Sequence, residues 1–139
     1  MIKSIIVVLL LSLTLSASSS KSEKKIYGYL LHSIFPAKST IHVWTDDSKK
    51  KEILNGNDIV VVENLEDADI VFVYHTKELE TKKILFTGSY KLLKRYVDQA
   101  IGGFFWLKGR ANIVFLKTNL EKEQIKLPQS LEKYIQEDL

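Results

Sequence analysis

Apolar positions change their spacing several times along this chain, and each change marks an element. Ile26, Leu30, Leu31 and Ile34 recur at helical spacing, flanked by Tyr27 and Phe35, and Pro36 ends that helix. Thr40 to Thr45 is β-branched and aromatic, a first strand closed by Asp46-Asp47-Ser48. Those polar residues suit the cap of a short helix from Lys49 to Leu54, which Asn55-Gly56-Asn57 stops.

The pattern then becomes nearly continuous. Asp58 to Val62 and Asp69 to Tyr74 are apolar almost throughout, as expected of strands buried on both faces of a parallel or mixed sheet. Lys83 to Thr87 is a further strand, and Gly88-Ser89 turns it into a helix from Tyr90 to Val97. After Gly102-Gly103, the runs Phe104 to Leu107 and Asn112 to Leu116 are joined by Lys108-Gly109-Arg110-Ala111, which predicts an antiparallel hairpin. Asn119 is placed to cap a helix from Leu120 to Gln124, and Pro128 introduces a last helix through about Glu137. Strand–helix alternation ending in a hairpin predicts an α/β fold: a three-layer Rossmann-like sandwich with a mixed, mostly parallel sheet and a C-terminal β-hairpin plus helix.

The first residues address the compartment. Lys3 supplies a positive charge, Ile5 to Leu11 an apolar core, and Ser16-Ala17-Ser18 small residues for cleavage after Ser18. The stretch is shorter than the roughly 20 apolar residues of a comfortable bilayer span, although an uncleaved anchor is the competing reading. The expected organisation is a signal peptide over 1–18, a flexible tether over 19–25 and a single domain over 26–139, exported to the periplasm. The absence of cysteine excludes disulfides, thiolate metal sites and lipid attachment at the cleavage site. Beyond Ser18 the chain carries 19 basic and 17 acidic side chains, too mild a balance to argue for nucleic acid.

Ligands of open α/β sheets lie beyond the carboxyl ends of parallel strands. Those ends carry Asp46 and Asp47, then His75 and Thr76, then Thr87, Gly88 and Ser89. The last three enter a helix, where free N–H groups favour an anion or carboxylate. The simpler alternative is that Asp46, Asp47 and Ser89 are ordinary caps and His75 closes a strand. Zinc held by His42, His75 and Asp46 is conceivable, but His32, His42 and His75 share no metal spacing, and hydrogen-bonded histidines are the plainer reading. Neither a nucleophile elbow nor a phosphate loop is present, and adjacent carboxylates such as Asp46 and Asp47 usually point apart. No enzyme, cofactor or metal is therefore expected. Alternation along Phe104-Phe105-Trp106 sends Phe104 and Trp106 to one face and Phe105 to the other. Either both faces are covered, or Phe104 and Trp106, rimmed by Lys108 and Arg110, form a partner surface.

Ala68 to Val73, Lys83 to Gly88, Gly102 to Phe105, and Gly109 to Phe115 with Asn119 together resemble the YfiR-like periplasmic proteins over roughly residues 58 to 135. The resemblance implies a small exported Rossmann-like domain that represses a membrane-bound diguanylate cyclase through its periplasmic portion. Ile34-Phe35-Pro36 stands where that family ends its first helix with apolar-Trp-Pro. The family's redox cysteines are missing, and Gly88-Ser89 replaces an acidic residue. The expected role is a non-enzymatic regulator in a cyclic-di-GMP or related signalling pathway, docked on the periplasmic portion of an inner-membrane cyclase or sensor kinase, with homodimer formation left open. The alternatives are a small solute-binding protein using the strand-end pocket and an envelope-assembly factor. N-terminal sequencing of the exported protein is expected to begin at Ser19. A product that keeps Met1 in the membrane would overturn the leader reading.

Overall fold

The computed structural model describes residues 21–139, so the expected signal peptide over 1–18, with Ser19 and Ser20, lies outside the described residues. Residues 21–34 are helical (α1), and Tyr27, Leu30, Leu31 and Ile34 form its buried stripe. Residues 21–25, expected as tether, thus belong to the helix. Their lysines are good helix formers, and Glu23, one turn before Tyr27, is ion-paired with Lys50.

The remaining elements are β1 (Ile41–Thr45), α2 (Ser48–Leu54), β2 (Ile59–Val61), a 3-10 turn (Leu65–Asp67), β3 (Ile70–Val73) and β4 (Ile84–Thr87). They continue as α3 (Tyr90–Arg95), β5 (Ala100–Leu107), β6 (Arg110–Leu116), α4 (Lys117–Lys122), a 3-10 segment (Gln129–Tyr134) and β7 (Ile135–Gln136). One seven-stranded sheet has the order β2-β1-β3-β4-β5-β6-β7. β1 to β5 are parallel, β6 is antiparallel to β5, and β7 is parallel to β6. The fold is α/β with a mixed, mostly parallel sheet, as the alternation of elements predicts.

Two apolar clusters coat opposite faces of this sheet. One joins α1, Leu54 of α2, Leu120 of α4 and Leu131 to Ile70, Phe72, Phe86, Phe104 and Phe115. The other packs Leu92 and Leu93 of α3 with Tyr96 against Val71, Val73, Leu85 and Phe105. Every residue of β3 is buried, which explains its unbroken apolar run. Phe104 and Phe105 are likewise core on opposite faces, 2% and 4% exposed. Trp106, the next residue on the Phe104 face, is 53% exposed because the strand has by then run past the covering helices. The connection is tighter than the four-residue link expected: Lys108 (φ 52) and Gly109 (φ 75) alone make the turn, both left-handed as such two-residue turns require.

The C-terminal expectations need two corrections. Asn119 does not cap a helix; it is buried within α4, and its amide donates to the carbonyls of Val97 and Ala100, both at 2.7 Å. The last helix is instead a 3-10 segment that ends by residue 134, where Ile135 and Gln136 pair with Phe115 and Leu116. Bonding to a vacant strand edge wins there over helix continuation.

Gly102 is fixed by a close approach between strands. A Cβ on it would lie 2.2 Å from the Val114 carbonyl oxygen and 3.1 Å from the Phe115 Cα. Since that obstacle is backbone, Gly102→Ala is expected to cost about 1–3 kcal/mol in urea unfolding, the usual penalty of overpacking. Unchanged stability would show that β5 and β6 separate freely.

Candidate functional site

Chain order puts β2 on one side of β1 and β3 on the other, so the direction of winding reverses between β1 and β3. A crevice outside the carboxyl ends of such strands is the usual ligand position in this architecture. Here β1 delivers Asp46 and Asp47 to that position, and β3 delivers Tyr74, His75 and Thr76.

Asp46 occupies the crevice itself. Its Oδ1 accepts from the Tyr74 N–H at 2.7 Å; its Oδ2 accepts from the N–H groups of His75 at 2.9 Å and Thr76 at 2.7 Å, and from the Thr76 hydroxyl at 2.8 Å. Three converging backbone donors of this kind make an anion nest, and the protein's own carboxylate fills it. Partial burial pushes the Asp46 carboxyl up, but the donors of Tyr74, Thr76 and His75 outweigh it and hold the group below its ordinary 3.8.

Asp47 turns the other way. Its Oδ1 caps α2 by accepting from the N–H groups of Lys49 (2.9 Å) and Lys50 (3.0 Å), and its Oδ2 meets His75 Nε2 at 2.8 Å. Burial opposes and these bonds favour the charged form, which again lies below the ordinary value. The two carboxylates thus have separate duties, as their adjacency suggests. The three residues considered for zinc are similarly dispersed: His42 Nδ1 faces Asp69 at 3.4 Å, His75 faces Asp47, and Asp46 holds the loop after β3. Among the described residues no group of three His, Asp or Glu is placed to hold a metal ion.

A second layer closes the crevice. The Tyr74 hydroxyl donates to the Tyr27 hydroxyl at 2.6 Å, and burial pushes both phenols far up, so both stay protonated. Lys50 Nζ lies 5.6 Å from the centre of the Tyr74 ring and pairs with Glu23 of α1. Gly88 is required beneath that ring, because a Cβ there would come within 2.0 Å of Tyr74 Cδ1. Sequence reasoning missed Glu23, Tyr27, Lys50 and Tyr74 as members of this site. Tyrosines at a strand end and within a buried helical stripe were an available signal, since a buried phenol needs a partner; Glu23 and Lys50 carried none.

The Thr87-Gly88-Ser89 turn is tied into the frame. Gly88 N–H donates to the Val73 carbonyl at 2.8 Å, Ser89 Oγ caps α3 by accepting from Leu92 N–H at 3.1 Å, and the buried Thr87 hydroxyl faces the Gly102 carbonyl at 3.4 Å. Gly88, expected to offer its N–H to an anion, spends it in the sheet. At the far end of β5 the hairpin exposes Trp106, Leu107, Lys108 and Arg110. Phe104, expected beside Trp106 on a partner surface, is core; only its edge contact with the Trp106 ring, 6.4 Å between centres, links it to that surface.

Asp46, Asp47 and Asp69 all lie below their ordinary 3.8 when folded. Each therefore contributes stability that is present above about pH 4 and lost as pH falls through and below that value. Asp46→Asn sets a neutral amide against three N–H donors and is expected to cost on the order of 2–3 kcal/mol at pH 7. In denaturant titrations the gap between variant and natural chain narrows toward pH 3, and a gap independent of pH would contradict the charged clamp.

No known protein family matches this sequence, and no curated protein does. A solved structure, described as a conserved domain protein from Vibrio cholerae O1 biovar El Tor str. N16961, is similar in fold, with a TM-score of 0.55 at 13% identity over 81% of this chain. The chain spans 58% of that protein's length, and at this identity the likeness is one of fold alone.

Proposed function

We propose that this chain is an exported, non-enzymatic binding protein that regulates an inner-membrane receptor by docking on its periplasmic portion through the β5–β6 hairpin. The observation that carries this reading is where the polar and apolar groups are spent. The crevice that would receive a small ligand is filled by Asp46 and roofed by Tyr27, Tyr74, Lys50 and Glu23. An aromatic anchor with a basic rim stands free at the hairpin instead, the residue chemistry that interface hot spots favour. The same filling of the crevice weighs against a solute-binding protein.

The leader supports export to the periplasm. Among the described residues no helix is long and apolar enough to cross a membrane. The resemblance to YfiR-like proteins favours a diguanylate cyclase as the receptor, with a sensor kinase as the second choice.

Trp106 is exposed, so Trp106→Ala should leave the fold intact while weakening receptor binding by about 2 kcal/mol or more, roughly 30-fold. Arg110→Glu is expected to act in the same direction through charge alone. The measurement is affinity capture from solubilised inner membranes, with bound proteins identified by mass spectrometry and variant stability checked by thermal unfolding. The supporting result is a cyclase or kinase captured by the natural chain and lost with both variants. Folded variants that capture it fully would exclude the hairpin.

A further inference from the structure

We propose that the partner docks by strand addition, laying an extended acidic segment along the open edge of β6 with an apolar side chain in the adjoining pocket. This rests on the docking reading above and specifies its mode.

The edge is defined by the hairpin register. Leu107 pairs with Arg110 across the two-residue turn, Phe105 with Asn112 and Gly103 with Val114. In an antiparallel pair closed by such a turn these positions exchange the ladder bonds, and the alternate residues point their N–H and C=O groups the other way. Those alternate residues on β6 are Ala111, Ile113 and Phe115. Phe115 meets Ile135 of β7 on that outer side, which fits the alternation. β7 covers only Phe115 and Leu116, however, and among the described residues no strand pairs with the outer side of Arg110–Val114. The chain before β7 turns off onto the α1 face, where Leu131 joins the core. The N–H and C=O groups of Ala111 and Ile113 are thus left as a template for an added strand.

A pocket for its side chain lies beside the edge. Ile113 shares a cavity of about 300 Å³ with Ile26 and Tyr29 of α1 and with Leu131 and Tyr134 of the 3-10 segment. A residue opposite Ile113 on an added strand would point to this same face. The floor is apolar, and Tyr29, 49% exposed, is held at the rim by a hydrogen bond to Ser130.

Charge chooses the occupant. Lys25 and Lys133 border the pocket, Arg110 begins the edge, and no Asp or Glu lines the cavity. From Gln99 to Leu116 the sequence has two basic residues, Lys108 and Arg110, and no acid, and Lys117 beyond the strand is paired with Glu137. A second copy paired antiparallel through Ala111 and Ile113 would bring its own lysine-bordered pocket alongside this one, adding like charge where no acid lines the cavity. An extended segment alternating apolar and acidic residues complements both the floor and the rim.

The probe is a ten-residue peptide of alternating glutamate and valine, with a lysine–valine peptide as control, titrated into the isotope-labelled protein. The supporting result is slower amide exchange at Ala111 and Ile113 by about tenfold or more, with the glutamate peptide bound at least about tenfold more tightly than the lysine one. Ala111→Pro removes the outward N–H without touching the β5 ladder, and it should abolish both the protection and the receptor capture. Equal binding of the two peptides, no binding, or binding without protection at Ala111 and Ile113 would overturn the proposal. Protection that rises with protein concentration alone would also overturn it, by assigning the edge to a second copy. If a folded Ala111→Pro variant captures the receptor fully while Trp106→Ala does not, strand addition fails and hairpin docking survives. If both variants capture fully, docking by this end of the sheet fails as well. The exchange measurement on the unsubstituted chain decides the matter even where Ala111→Pro does not fold.

Discussion

A single carboxylate, Asp46, stands where the order of the strands demands either a ligand or a substitute for one. The N–H groups of Tyr74, His75 and Thr76, successive residues after β3, turn into one cradle, and the adjacency of β1 and β3 sets Asp46 against it. An empty cradle would be costly once covered, because a buried unsatisfied donor forfeits its hydration. Asp46 satisfies the donors from within the chain. This lets the loop after β3 hold one shape, and that shape points Tyr74 back over Gly88 toward α1. The contacts that seat the first half of α1, Tyr27 on Tyr74 and Glu23 on Lys50, stand on that arrangement. One anion–nest interaction therefore holds the loop that carries Tyr74 to Tyr27, while the buried stripe of Tyr27, Leu30, Leu31 and Ile34 seats the helix that forms one wall of the apolar pocket.

Much of the frame was legible because burial leaves its mark on spacing. The unbroken run at Ile70–Val73 reads as a doubly covered strand and is one, whereas the run at Ile59–Val61 reads the same way and is an edge strand that leaves Val60 exposed; the helical stripe through Leu30, Leu31 and Ile34 reads correctly. The site was legible only in its components. Asp46 and Asp47 read as caps or ligands, but nothing local states that one folds back on a loop 28 residues away while the other caps α2. Glu23 and Lys50 are indistinguishable from other surface charges until α1 and α2 are packed together. Asn119 misled for a related reason. Asn before an apolar residue reads as a cap, yet here its amide is drawn inward by the carbonyls of Val97, in the turn after α3, and Ala100, at the start of β5, which only tertiary structure supplies.

Phe104 and Trp106 show the limit of periodicity. Both lie on one face of β5, and alternation cannot tell how far the covering layer extends. The covering layer gives out between them, leaving one ring in the core and the other mostly in solvent. A hairpin that outruns its cover exposes apolar surface that evolution ordinarily blunts with charge or a bulge. Lys108 and Arg110 supply charge at the tip, while the bulge lies at the opposite end of β5, between the Leu85 and Phe86 pairings.

The short β7 gives this edge its physical sense. A chain that needed only to hide β6 could continue β7 along its whole length; instead two residues pair and the preceding segment turns aside to build one wall of the pocket containing Ile113. Pairing Phe115 and Leu116 protects the part of the edge that lies over the core, where Phe115 is fully buried. Toward the turn, Ile113 is partly covered and Ala111 is exposed, so no core contact requires a permanent neighbour there. Open backbone, a shaped apolar hollow and lysines on its border then meet at one place. An edge with these features is the kind that strand addition uses, and its lysine border favours an acidic strand over a basic one.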